Sequence, residues 1–203
     1  MAQHVSLFRA ALGQQFDLLA PVLRRHYDLV PGQRVAVGGR MEAWSRYPWL
    51  RAFIPIMPRP GAAVPVTVLN GGLVDNGEVC YEWKREFVYP SGPSHSYTLT
   101  RPAALDAGGA CVLDTFNQPA NIAVTLRLEV LEGGALLKQH SAGPQFALAG
   151  ARRLRLPGLF QIGSVALERA LSDDRIYTDV TVSHALLGPL FGYRGELTVA
   201  DRN

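Results

Sequence analysis

The chain has 203 residues, 48% of them hydrophobic and 18% charged, which is enough for one domain over residues 1–203 with a full core. Its 20 basic residues against 17 acidic ones leave a net charge of +3; no block of one sign occurs, so nucleic-acid binding gains no support. No stretch offers about 18 consecutive apolar residues and the N-terminus lacks a basic region followed by an unbroken apolar one, so no transmembrane segment and a soluble cytoplasmic protein are expected.

Near the N-terminus, Phe8, Leu12, Phe16, Leu19, Leu23 and Tyr27 recur at steps of three or four, the spacing of a helix with one apolar stripe. Pro21 falls inside this run and fits only a first helical turn. Two short helices, or one kinked helix, are therefore expected over 5–29. "DLVPGQR" ends them.

From residue 34 to 200 short alternating segments take over, punctuated by turn residues. The candidate strands are 34–44, 64–70, 78–89, 95–101, 110–117, 122–131, 135–141, 145–149, 174–183 and 191–200. "LNGG", "DNG", "LDAGG" and "LEGG" are tight-turn sequences, and strands joined by such short links are antiparallel. "IAVTLRLEV", 122–130, alternates cleanly between an apolar and a polar face. The fold class that follows is α+β: a strongly curved antiparallel sheet or barrel of about 8–10 strands, closed by the N-terminal helices. Cys80 and Cys111 lie within strands and read as reduced thiols.

Two segments are irregular. "YPWLRAFIPIMPRPG", 47–61, sets Trp49, Leu50, Phe53, Ile54, Ile56 and Met57 among four prolines, which permits a short helix and a stiff connection. It reads either as a lid or, more commonly for apolar runs, as a plug of buried core. In "RRLRLPGLFQIGSV", 152–165, Arg152, Arg153 and Arg155 precede an apolar turn. Contact with an anionic membrane surface is one reading; a solvated strand edge guarded by arginines is the commoner one.

The dinucleotide, P-loop, zinc-protease and serine-hydrolase motifs are all missing, and His4, His26, His95, His140 and His184 are scattered without ligand spacing. No cofactor or metal is implied. His26 ends the helical region, where the helix C-terminus favours an imidazolium; capping is the commoner reading and catalysis the other.

The chemistry concentrates in "EVCYEWKREFVYP", 78–90. Alternation puts Val79, Tyr81, Trp83, Arg85, Phe87 and Tyr89 on one face, so a guanidinium sits among four aromatic rings. Its desolvation costs several kcal/mol unless it is paired. Asp114, which shares a face with Val112 and Phe116, is the best partner. Asp179 is a second, although its alternation with Tyr177 and Thr181, opposite Ile176, Thr178, Val180 and Val182, points it outward. Tyr193 can bring a hydroxyl to the interior.

Two readings follow. In one, Arg85 and Asp114 form a satisfied interior pair, or Arg85 stacks on Trp83 at a rim, and nothing binds. In the other, an apolar pocket uses Arg85 to orient a small apolar molecule with a carbonyl or anionic head, and an enclosed void on the order of several hundred Å³ should reach it. A catalytic version is a cofactor-independent isomerase or cyclase: Arg85 holds the carbonyl, Tyr81 or Tyr193 donates a proton, and Asp114 orients Arg85 or acts as base, with Trp83, Phe87, Phe116, His26 and Asp179 binding the ligand. The alternative function is a non-catalytic protein- or membrane-interaction domain with a side-chain-filled barrel.

The early "LG..F..L.P..RRHYD", "EWKREF" after "VPVTV", "LRLPGLF" and the ending "TDVTVSHALLGPLFGYRGEL" together resemble a bacterial family called domain of unknown function 4166, from about Leu7 to Leu197. The resemblance implies a helical start and a β-rich body. The matching positions are His26, Trp83, Arg85, Asp179, Gly188, Tyr193 and Gly195; Thr178 stands where the pattern has an aromatic residue before the aspartate. The resemblance implies an inward role for Asp179, against its alternation.

Overall fold

The computed structural model describes residues 4–52, 57–103, 109–117, 121–149 and 152–202. The helical start is in three pieces: α1 (Leu7–Leu12), a 3₁₀ segment (Gly13–Leu18) and α2 (Pro21–Tyr27). Pro21 occupies the first turn of α2, as its missing N–H requires. A second break is made by Gly13, whose φ of 54° ends α1. All six residues of the predicted stripe are buried in the main core.

Among the described residues eleven strands follow: β1 (Arg34–Ser45), β2 (Gly61–Asp75), β3 (Glu78–Tyr89), β4 (Gly92–Pro102), β5 (Cys111–Phe116), β6 (Ile122–Leu131), β7 (Leu136–Ala149), β8 (Arg152–Arg155), β9 (Ile162–Ala170), β10 (Arg175–His184) and β11 (Gly188–Val199). They form one antiparallel sheet in the order β6-β5-β4-β3-β2-β1-β11-β10-β9-β7-β8, and β6 also pairs with β7. That last pairing closes ten strands into a barrel and leaves β8 outside it. Closure removes the exposed edges that an open sheet of this size would present. Asn76 and Gly77, both at positive φ, turn β2 into β3.

Two differences from the sequence expectation have physical reasons. Segments 135–141 and 145–149 are one strand, β7, which keeps its course past Gly143 and Pro144 because these sit where the register with β6 shifts. A proline is tolerated at such an irregularity. Strand β9 was not among the expected strands: "VALERA" carries helix-favouring letters, and pairing with β10 and β7 overrides them. The arginine-bearing edge at 152–155 is β8, fully exposed and paired only to the end of β7.

The helices close one end of the barrel. Phe8 packs on Tyr27, Tyr81 and Trp83, the Ala20 N–H donates to the Gly134 carbonyl, and the Tyr81 hydroxyl donates to the His26 carbonyl at 2.6 Å. At the other end Met57, Val182, Leu190 and Phe191 make a second, smaller core with Tyr47 and Leu50 beside it. Segment 47–61 thus contributes a 3₁₀ turn (Pro48–Ala52) and buried plug residues, while Trp49 points out; Phe53, Ile54 and Ile56 lie outside the described residues. Among the described residues no helix is long and apolar enough to cross a membrane.

Candidate functional site

Along β3, Trp83, Arg85 and Phe87 face the barrel interior, as alternation predicts, and line a cavity of about 140 Å³. Most of its wall is apolar, from aliphatic residues such as Val37, Val66, Val68, Val124, Leu126 and Leu197 together with aromatic rings. The Arg85 guanidinium lies 4.9 Å over the Trp83 ring, and its Nη1 donates to Thr98 Oγ1 at 3.0 Å.

The expected Arg85–Asp114 ion pair is absent among the described residues. Strand β4 runs between β3 and β5 and carries the hydroxyls that intervene. Trp83 Nε1 donates to Thr100 Oγ1 at 2.9 Å, and that hydroxyl donates to Asp114 Oδ1 at 2.6 Å. In each case the β3 side chain reaches the β4 residue two beyond its direct partner, since Arg85 is opposite Ser96 and Trp83 opposite Thr98. Arg85 therefore acts on Asp114 through space. Burial lifts the Asp114 carboxyl to about 6, against the opposing pull of the Thr100 hydrogen bond and the Arg85 charge.

A second polar group sits where α2 meets the cavity. His26 Nε2 is 3.5 Å from Glu168 Oε2, and Asn70 Nδ2 is 3.4 Å from His26 Nδ1. The Tyr27 hydroxyl donates to Glu168 Oε2 at 2.7 Å and accepts from Gln139 Nε2 at 2.7 Å. Burial holds the His26 imidazolium below its ordinary range, with Glu168 opposing. The neutral ring that fits these partners carries its hydrogen on Nε2, toward Glu168, and accepts from Asn70 at Nδ1.

Two hydroxyls complete the site. Tyr193 packs edge-on against Phe87 with centroids 5.7 Å apart; burial pushes its phenol upward, so it stays protonated, and its hydroxyl has no hydrogen-bond partner among the described residues. Thr178 lines the same cavity, and its buried Oγ1 is likewise unpartnered.

The structure thus brings Arg85, Asp114, Tyr193, Trp83, Phe87, Phe116 and His26 to one cavity. Two predicted site residues are elsewhere. Tyr81 is buried behind the cavity with its hydrogen committed to the His26 carbonyl, so it anchors α2 to β3. Asp179 lies on the outer face of β10, because Thr178, Val180 and Val182 take the inner one; period-two alternation placed it correctly and the resemblance did not. The sequence reading missed Glu168 and Gln139, although Ile162, Ser164, Ala166 and Glu168 share one face of β9.

A family model described as "Domain of unknown function (DUF4166)" matches residues 19–197. The chain belongs to this DUF4166 family. No curated protein matches it. The matched span covers α2 and the barrel as far as Leu197 of β11. Of the positions that carried the resemblance to DUF4166, His26, Trp83, Arg85 and Tyr193 line the cavity. Gly195 serves the DUF4166 barrel differently: a Cβ there would overlap the Arg40 carbonyl oxygen on β1, so the close approach of β1 and β11 depends on it.

Proposed function

We propose that the barrel binds a small, largely apolar molecule through a carbonyl or anionic head. The observation that carries this reading is Arg85: a guanidinium with five N–H donors has one hydrogen bond and no carboxylate in ion-pair contact among the described residues, and it borders an apolar cavity. A half-buried cation left so incompletely matched is suited to a guest that completes it. The cavity is smaller than the several hundred Å³ first expected. At about 140 Å³ it matches the volume that admits one benzene-sized ring, so the ligand body is of roughly that size.

The same groups support proton transfer. Asp114 takes a proton from the carbon beside the carbonyl, and the bonding pair moves to the carbonyl oxygen. Arg85 and the Tyr193 hydroxyl hydrogen-bond to that oxyanion. Where a carbon–carbon double bond adjoins that enolate, Asp114 returns the proton to its far carbon, so the double-bond isomerisation balances without a cofactor; in a ring closure the enolate carbon instead bonds to a second carbonyl carbon of the guest, and Asp114 returns the proton to the oxygen whose π bond breaks. A carboxyl lifted to about 6 is placed for this task near neutral pH.

The test is a thermal-shift and calorimetric screen with benzoate, cyclohexanecarboxylate and cyclohexanone against the wild type and Arg85→Met. Binding in the wild type that falls at least about tenfold in R85M, with the unfolding transition preserved, supports the reading. Equal binding by both proteins removes Arg85 from the site.

A further inference from the structure

Three loops meet at the barrel end opposite the helices. The turn at 158–160 is tied to the β10–β11 hairpin, where His184 Nε2 donates to the Leu159 carbonyl at 2.6 Å. That hairpin meets the segment after β1, where the Arg46 N–H donates to the Leu190 carbonyl at 2.9 Å. Beneath the three loops lies the second core cluster.

The tips of two of these loops, the 158–160 turn and the β10–β11 hairpin, are apolar and exposed. Leu159, Phe160 and Leu186 are exposed, Phe160 by 65% and Leu186 by 74%, and Leu154 of β8 stands exposed beside them. Scattered exposed leucines are ordinary, but several gathered at the tips of adjoining loops are not. The charge is as lopsided as the apolarity. Segments 45–52, 152–162 and 182–191 together hold five arginines, Arg46, Arg51, Arg152, Arg153 and Arg155, and no aspartate or glutamate. Over the whole chain 20 basic residues face 17 acidic ones, so the even mixture elsewhere fails at this end.

We propose that this end docks on an anionic lipid surface, with Leu159, Phe160 and Leu186 entering the headgroup layer and Arg152, Arg153 and Arg155 pairing with lipid phosphates. Apolar tips ringed by arginines suit a bilayer interface, where the rings and aliphatic side chains leave water and the guanidiniums keep anionic partners. The docking surface stands on its own residues and does not depend on what the cavity holds. It does adjoin that cavity, since Ile162, Val182 and Phe191 line the cavity and pack in the cluster below the loops.

Flotation of the full chain with phosphatidylcholine vesicles, and with vesicles part-substituted by phosphatidylglycerol, tests the proposal. Partition should require phosphatidylglycerol and weaken with added salt. It should drop roughly hundredfold in R152Q/R153Q/R155Q and at least about tenfold in L159S/F160S, while Leu18→Ser, an exposed leucine at the helical end, changes nothing. All of these side chains are exposed, and circular dichroism checks that the variants fold. Absence of partition, equal loss in L18S, or a wild-type dimer that L159S/F160S converts to monomer would overturn it, the last outcome assigning the patch to a second copy of the chain.

Discussion

Arg85 and Asp114 share a cavity wall yet bond to different threonines: Arg85 Nη1 to Thr98 Oγ1, and Asp114 Oδ1 to Thr100 Oγ1. Because β4 supplies both hydroxyls, the opposite charges influence each other without neutralising each other by contact. The cation keeps free donors and the acid keeps a raised proton affinity.

The first prediction concerns that acid. Folded Asp114 titrates at about 6, whereas its ordinary value is 3.8. The folded state therefore binds the proton more tightly, and the stability this contributes is fully present below the unfolded value and lost as pH rises through about 6. The shift corresponds to on the order of 3 kcal/mol. Asp114→Asn, which still accepts from Thr100, should be more stable than the wild type at neutral pH and lose that advantage toward about pH 4. Urea unfolding of both proteins across this range checks it; parallel curves would refute the raised affinity.

His26 gives the opposite slope. Its folded imidazole is held below the ordinary 6.5, so its contribution is present above that value and falls away as acid protonates the unfolded chain preferentially. In the D114N background, acidification from about pH 7 to 5 should therefore only destabilise. Adding His26→Gln should flatten the curve over that interval.

Tyr27→Phe deletes a hydrogen bond to the buried Glu168 and the acceptor of the Gln139 amide. A loss of about 2–3 kcal/mol is expected, since a buried acceptor and a buried donor are both left short. Chemical denaturation measures it directly.

Thr178→Val removes a buried hydroxyl that bonds to nothing among the described residues. The empty protein should gain about 1 kcal/mol, because an unsatisfied polar group is replaced by an apolar one of the same shape. A destabilised variant would show that the hydroxyl has a partner.

Gly134→Ala tests how the helices are seated. At φ 99° the residue lies against the chain at Leu18, and a Cβ there would overlap the Leu18 carbonyl oxygen. The substitution should cost about 2–4 kcal/mol and lift the helical segment from the barrel, seen as faster amide exchange in residues 7–27.

How far the sequence revealed this depends on the range of the information. The stripe from Phe8 to Tyr27 and the alternation of β3 are local periodicities; every residue of the stripe is buried, while along β3 the inward face holds but Cys80 and Glu82 on the other face are buried as well. Alternation alone also put Arg85, Asp114 and Tyr193 inside and Asp179 outside. The pairing of His26 with Glu168 was not legible, because 142 positions separate the two residues and only the closed fold brings α2 and β9 together. Nor could spacing show that β4 would interpose Thr98 and Thr100 between Arg85 and Asp114, since that depends on register. Tyr81 was read correctly as interior, but the fate of its proton depended on where α2 ends.

The most direct measurement is native mass spectrometry of the barrel released gently from cells, comparing the wild type with Arg85→Met and with Arg194→Met, an outer-face arginine already paired with Glu42. The account predicts a small guest retained by the wild type and by R194M and missing from R85M. Identical spectra for all three, whether bare or carrying the same guest, would contradict it.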